Sequence, residues 1–175
     1  YTNYNTFAFM NGLTLKAIPT DIRNGFQIPP IEEFEKAITD RTKAILVCNP
    51  GNPTGTLYSK ESMLALGDIA RRHDLFLISD EVYREFCYTD EPHFSAMNIP
   101  DLEDNVILID SVSKRYNLCG ARVGCIVSKN KEVMNAAMKY AQSRLCPPVI
   151  GQTAAIGALD TPDEYFKAVR EEYIK

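Results

Sequence analysis

The sequence predicts an α/β fold, a mostly parallel sheet with helices on both faces. Two observations predict it. Short apolar runs alternate with segments of helical period, and the runs are apolar throughout rather than at every second residue, as in strands buried on both faces. A third observation concerns function: clusters of polar, chemistry-bearing residues follow the runs, where ligands collect in such sheets.

The elements follow in chain order. Residues 13–18 alternate and stop at Pro19, which predicts a short strand. Asn24-Gly25 marks a turn. After Pro29-Pro30, Ile31, Phe34 and Ile38 keep a helical period, with Glu32, Glu33 and Glu35 near its positive end. Residues 43–48 read as a buried strand, and 49–55, with two Pro and two Gly, as a loop. Ser59 can cap a helix running to about His73. Residues 75–79, 106–110 and 122–128 read as three further strands. Asn130 can cap a helix whose stripe is Val133, Met134, Ala137, Met138 and Ala141, and Pro147-Pro148 breaks it. Another helix follows to about Leu159. Thr161-Pro162-Asp163-Glu164 reads as a capping box with Pro at the first helical position, opening a last helix. A boundary, if there is one, falls between residues 147 and 161, where strands give way to helices.

The chain has 175 residues, of which 45% are apolar and 24% charged. That is one ordinary domain, large enough to build its own core. The net charge of −4 leaves no basic surplus for a nucleic-acid backbone. No apolar run is long enough to span a membrane. The opening Tyr1-Thr2-Asn3-Tyr4 lacks Met and the pattern of a signal peptide, and suggests a piece of a longer protein. The five cysteines form no Cys-x-x-Cys pair, which argues against a disulfide framework and for a cytoplasmic location. His73 and His93 lie in no ligand spacing, so no metal is expected.

Four clusters sit at strand ends: Asn49-Pro50-Gly51-Asn52-Pro53-Thr54-Gly55, Asp80-Glu81-Val82-Tyr83, Ser111-Val112-Ser113-Lys114, and Arg122-Val123-Gly124. Each admits an ordinary role. The first is a turn-rich loop, Asp80 can cap a helix, Ser111 and Ser113 can serve turns, Lys114 can be a surface lysine and Arg122 half of an ion pair. Their placement on one predicted sheet edge favours a shared chemistry. A fixed lysine forms a Schiff base with an aldehyde. A carboxylate keeps a pyridine nitrogen protonated. Tyr and Asn donors suit a phenolic oxygen, and two hydroxyls with a guanidinium suit a phosphate ester. The cofactor that asks for all of these is pyridoxal 5′-phosphate.

Asn52-Pro53-Thr54-Gly55, Ser79-Asp80-Glu81-Val82-Tyr83 and Ser111-Val112-Ser113-Lys114 with Arg122-Val123-Gly124 together resemble the class I/II aminotransferases of fold type I. Ser113-Lys114-Arg115-Tyr116 through Cys119-Gly120-Ala121-Arg122 looks most like the bacterial aspartate aminotransferases. The resemblance covers nearly the whole chain. It implies that the last strand is antiparallel and that Lys114 carries the cofactor and shuttles protons. It implies that Asp80 pairs with the pyridinium nitrogen and that Tyr83 and Asn52 bond the phenolic oxygen. Ser111 and Arg122 would bind the phosphate, with Ser113 a weaker candidate, and Tyr1 would stack on the ring.

The same resemblance implies amino acid and 2-oxo acid substrates, aspartate first among them. Residues 1–160 would be part of the large, cofactor-binding domain and 161–175 a helix leading toward a small domain outside this chain. A phosphate-binding loop before residue 1 would also lie outside it, so the piece alone is expected to be inactive. In the family sheet the strand at 13–18 is one strand removed from that at 43–48. Hence 13–18 is expected either to move in and pair with it, or to leave two open edges through which copies associate, in keeping with a homodimer. A β-eliminating lyase, another transaminase and a noncatalytic association module remain as alternatives.

Overall fold

Three apolar runs with no helical period find one another as neighbours in the computed structural model, which describes residues 1–175. They are β1 (Ala44–Cys48), β2 (Phe76–Asp80) and β3 (Val106–Ser111), and they pair in parallel. A fourth strand, β4 (Gly124–Val127), adds antiparallel to β3, giving the order β1-β2-β3-β4. The α/β class, the parallel centre and the antiparallel last strand are as expected.

The register decides which side chains face the core. Ile45, Leu77 and Val106 stand side by side, as do Val47, Ser79 and Leu108. This face packs on α3 (Lys60–Arg72), whose Met63, Leu66, Ile69 and Ala70 are wholly buried. α3 begins where expected because Ser59 Oγ accepts the Ser62 N–H at 3.2 Å. Glu61 in its first turn and Arg71 and Arg72 in its last complement the helix dipole. Phe34 of α2 (Ile31–Ala37) closes the core from the side. On the opposite face, Leu46 and Ile126 keep 37% and 46% of their surface in water, so this face is the less covered of the two.

Other elements depart from the sequence reading in instructive ways. Residues 13–18 form no strand, and β1 is paired on one side only. Alternation is a local signal, but a strand needs a ladder partner, and this segment finds none. Its end is held instead by Ile18 packing on the core. Asn24-Gly25 does turn the chain: a short 3₁₀ helix, Ile22–Asn24, ends on Gly25 at φ +67°. A helix not foreseen, α1 (Asn3–Met10), opens the chain with no side-chain cap and no buried residue.

Downstream of β3, the short α4 (Val112–Arg115) starts at Ser111 and carries Lys114. α5 (Lys131–Arg144) is capped by Asn130 as expected, its Oδ1 accepting the Val133 N–H at 3.0 Å. Its apolar stripe is at best half covered, and Met138 stays 57% exposed. α6 (Val149–Ala158) and α7 (Asp163–Ile174) follow Pro148 and Pro162. The capping box expected at Thr161 does not form. Pro162 stands at the cap position, and no side chain bonds the first turn. α7 is tied down elsewhere: Arg170 donates to the carbonyls of Cys87 and Thr89 at 2.6 and 2.9 Å, and Tyr173 meets Phe86 edge-on.

Candidate active site

The carboxyl ends of the three parallel strands set the site. Asp80 is the last residue of β2, in register with Cys48 at the end of β1. Its side chain is nearly buried, at 9% exposure. One oxygen, Oδ2, accepts the Tyr4 hydroxyl at 2.6 Å, and the other faces the Val82 N–H at 3.3 Å. Burial first, then the bond to Asp80, pushes the Tyr4 phenol well above its usual range, so Tyr4 stays a neutral donor. Burial likewise raises the Cys48 thiol, with the Asp80 charge adding to it, so Cys48 is held as a thiol.

The loop after β1 and the turn after β2 meet over this carboxylate. Asn52 Nδ2 donates to the Tyr83 hydroxyl at 3.3 Å. The two donors assigned to one phenolic oxygen therefore lie together. Lys114, exposed on α4, places Nζ 5.6 Å from the centre of the Tyr83 ring. Tyr1 joins the group through its ring, which meets Tyr4 edge-on at 5.3 Å. Tyr1, Tyr4, Asn52, Asp80, Tyr83 and Lys114 thus form two short contact chains at one sheet edge, one around Asp80 and one around Tyr83.

The remaining candidates gather where β3 and β4 pair. Ser111 Oγ accepts the Ser113 N–H at 3.1 Å and lies 2.8 Å from Ser113 Oγ and 2.9 Å from the Val123 carbonyl. A hydroxyl has one proton, so with Ser111 donating to Val123, Ser113 donates to Ser111. Arg122 is exposed, sits in the left-handed region at φ +56°, and gives one N–H to the Cys119 carbonyl at 2.9 Å. A non-glycine there is strained by roughly 1–2 kcal/mol, a feature that concentrates at ligand sites. Gly124 follows because a Cβ there would stand 3.0 Å from the Asp110 carbonyl.

Just behind Asp80, Glu81 is wholly buried. It accepts from Ser79 Oγ at 3.0 Å and from the Ala96 N–H at 2.9 Å, with His93 Nε2 3.6 Å from its other oxygen. Burial pushes the His93 imidazole below its usual range. The sequence reading assigns Tyr4 no role. Its partner lies 76 residues away, and no local pattern reports such a pairing.

The residues present fit pyridoxal 5′-phosphate: a nearly buried carboxylate at a strand end, two donors in contact beyond it, an exposed lysine over the tyrosine ring, and two hydroxyls paired at the end of β3. The model of the family described as aminotransferase class I and II matches residues 1–175. The chain belongs to this family.

Among curated class I and II aminotransferases, the aspartate aminotransferase of Bacillus subtilis is 35% identical over 152 residues, 86% of this chain and 38% of that protein. The alanine aminotransferase of Mycobacterium bovis is 39% identical over 145 residues, 79% of this chain and 33% of its own length. A solved aspartate aminotransferase of Thermus thermophilus superimposes with a TM-score of 0.90 at 30% identity, over 99% of this chain and 45% of that one. The chain thus spans less than half the length of the aminotransferases it matches.

Proposed function

We propose that this chain is the lysine-bearing part of a pyridoxal 5′-phosphate-dependent aminotransferase. The whole enzyme moves an amino group between an amino acid, aspartate first, and a 2-oxo acid. Residues 1–160 serve the cofactor-binding unit and 161–175 lead out of it. The enzyme works as a homodimer in the cytoplasm. The observation that carries the reading is the convergence at the strand ends: Asp80 held by Tyr4, and Asn52 on Tyr83 beneath Lys114.

When bound, the cofactor supplies an aldehyde carbon and a ring that accepts electrons. Asp80 holds the proton on the ring nitrogen, and Tyr4 keeps that carboxylate oriented. Tyr83 and Asn52 hold the phenolic oxygen. Ser111, Ser113 and Arg122 hold the phosphate, and Tyr1 covers the ring. Lys114 Nζ would anchor the cofactor aldehyde and, once the substrate amine displaces it, would be free to serve as base and then as acid toward the α-proton.

A second reading, alanine as the amino donor, is favoured by the Mycobacterium bovis relative. Titration of the full-length enzyme with pyridoxal 5′-phosphate, followed by aspartate or alanine, tests both. A visible absorption band that aspartate bleaches before alanine supports the first reading, and the reverse order supports the second. A band that no amino acid changes would contradict amino transfer by the full-length enzyme.

A further inference from the structure

Four charged side chains outside the groups assigned above close into a ring. Arg84 Nη2 lies 2.9 Å from Asp110 Oδ2, and the same oxygen lies 3.9 Å from Arg115 Nη1. Arg115 bonds Glu85 through Nε at 3.0 Å and again through Nη2. Glu85 Oε1 closes the ring 4.0 Å from Arg84 Nε. The signs alternate all the way round. The side chains keep between 13% and 30% of their surface in water, so they are not the fully solvated pairs that contribute little.

The ring joins the turn after β2, the end of β3 and α4. Its placement beside two reactive residues gives it a purpose. Tyr83 immediately precedes Arg84, and Lys114 immediately precedes Arg115. Each guanidinium is planar and offers several donors in fixed directions, so a paired arginine orients the backbone that carries it. We propose that the Arg84–Asp110–Arg115–Glu85 ring is a clamp that positions Lys114 over the Tyr83 ring. Asp110 Oδ2 and Glu85 Oε1 each face both guanidinium groups, and Asp110 is the one that stands at the end of β3. With two charges of each sign the clamp is neutral as a whole, so it orders these segments without imposing a net charge beside the lysine amine. Its members are positioning residues. Their use in amino transfer rests on the function proposed above, but the clamp itself does not.

Reductive methylation of the chain with ¹³C-formaldehyde gives each lysine a methyl signal, with no cofactor needed. In the unaltered protein the Lys114 methyls are expected to show a nuclear Overhauser effect to the Tyr83 ring protons. Asp110→Asn and Glu85→Gln are each expected to reduce it by more than half, while the Lys129 and Lys131 signals and the core methyl spectrum stay in place. Tyr83→Phe should keep the effect, since the ring remains and the clamp is intact. An undiminished effect in both amide variants would overturn the proposal, even if their melting temperatures fall, because the ring would then be structural only. Uniform loss across all lysines would overturn it too. Failure of pyridoxal phosphate to label Lys114, with the Overhauser pattern as described, would strike the proposed function and leave the clamp standing.

Discussion

Tyr4 donates its hydroxyl to Asp80 Oδ2 across 2.6 Å, joining the first helix to the end of the second strand. α1 buries no side chain, so this bond is a principal tie between it and the sheet. A hydrogen bond to a charged partner contributes about 1.5–3 kcal/mol, and Tyr4 is only half-buried, so Tyr4→Phe is expected to cost about 1.5 kcal/mol.

The same bond has an alkaline signature. The Tyr4 phenol is raised by burial and by Asp80, so its contribution is complete below the ordinary tyrosine value of about 10. It is lost as pH rises past that value, because the unfolded chain then ionises first. Urea unfolding at pH 8 and pH 10.5 should show the gap between the parent and Tyr4→Phe narrowing at the higher pH. A gap that stays constant would contradict the account.

The acid side is governed by a different contact. Glu35 of α2 is held below the usual carboxylate range by Arg72 and then by His73, at 2.5 and 2.6 Å. A depressed carboxylate stabilises above its ordinary value of about 4.3 and loses that contribution as pH falls through its lower folded value. Glu35→Gln should therefore unfold more easily at pH 6 and match the parent near pH 3. Equal stability at pH 6 would show the α2–α3 bridge to be idle.

Gly67 lies where α3 meets the segment after β2. A Cβ there would stand 2.7 Å from Ile99 Cγ2 and 3.1 Å from its Cδ1. Alanine would favour the helix by about 1 kcal/mol, yet overpacking costs about 1–3 kcal/mol. Gly67→Ala is expected to destabilise by about 1 kcal/mol, and Ile99→Ala in the same chain to be less harmful than alone. Purely additive effects in thermal melts would count against that packing.

Asp80 and Arg122 separate chemistry from retention. In the full-length enzyme, Asp80→Ala should leave cofactor capture at Lys114 in place but slow exchange of the substrate α-proton by several orders of magnitude, read by deuterium incorporation. Arg122→Ala removes a phosphate partner worth roughly 1.5–3 kcal/mol, a 10- to 100-fold weaker cofactor affinity. An unchanged exchange rate in Asp80→Ala would assign Asp80 a structural role.

The legible parts of the molecule were those whose cause is local. Continuous apolar runs mark β1, β2 and β3 because burial on both faces leaves no polar position. Ser59 and Asn130 mark helix starts because the cap bond spans three residues. Lys114, Asp80 and Tyr83 stood out because each follows such a run. Residues 13–18 misled because alternation says nothing about whether a partner strand is at hand. α1 carried no signal, having neither a cap bond nor a buried stripe. Tyr4 with Asp80, and Arg115 with Glu85, are pairings made only by the fold, across 76 and 30 residues.

The central claim is that Lys114 is the lysine that holds the cofactor. Pyridoxal 5′-phosphate added to the protein, fixed with borohydride and followed by peptide mapping, tests it most directly. The expected result is a single modified peptide carrying Lys114, lost in Lys114→Ala. Label spread evenly over surface lysines such as Lys129 and Lys131, or none on Lys114, would contradict it.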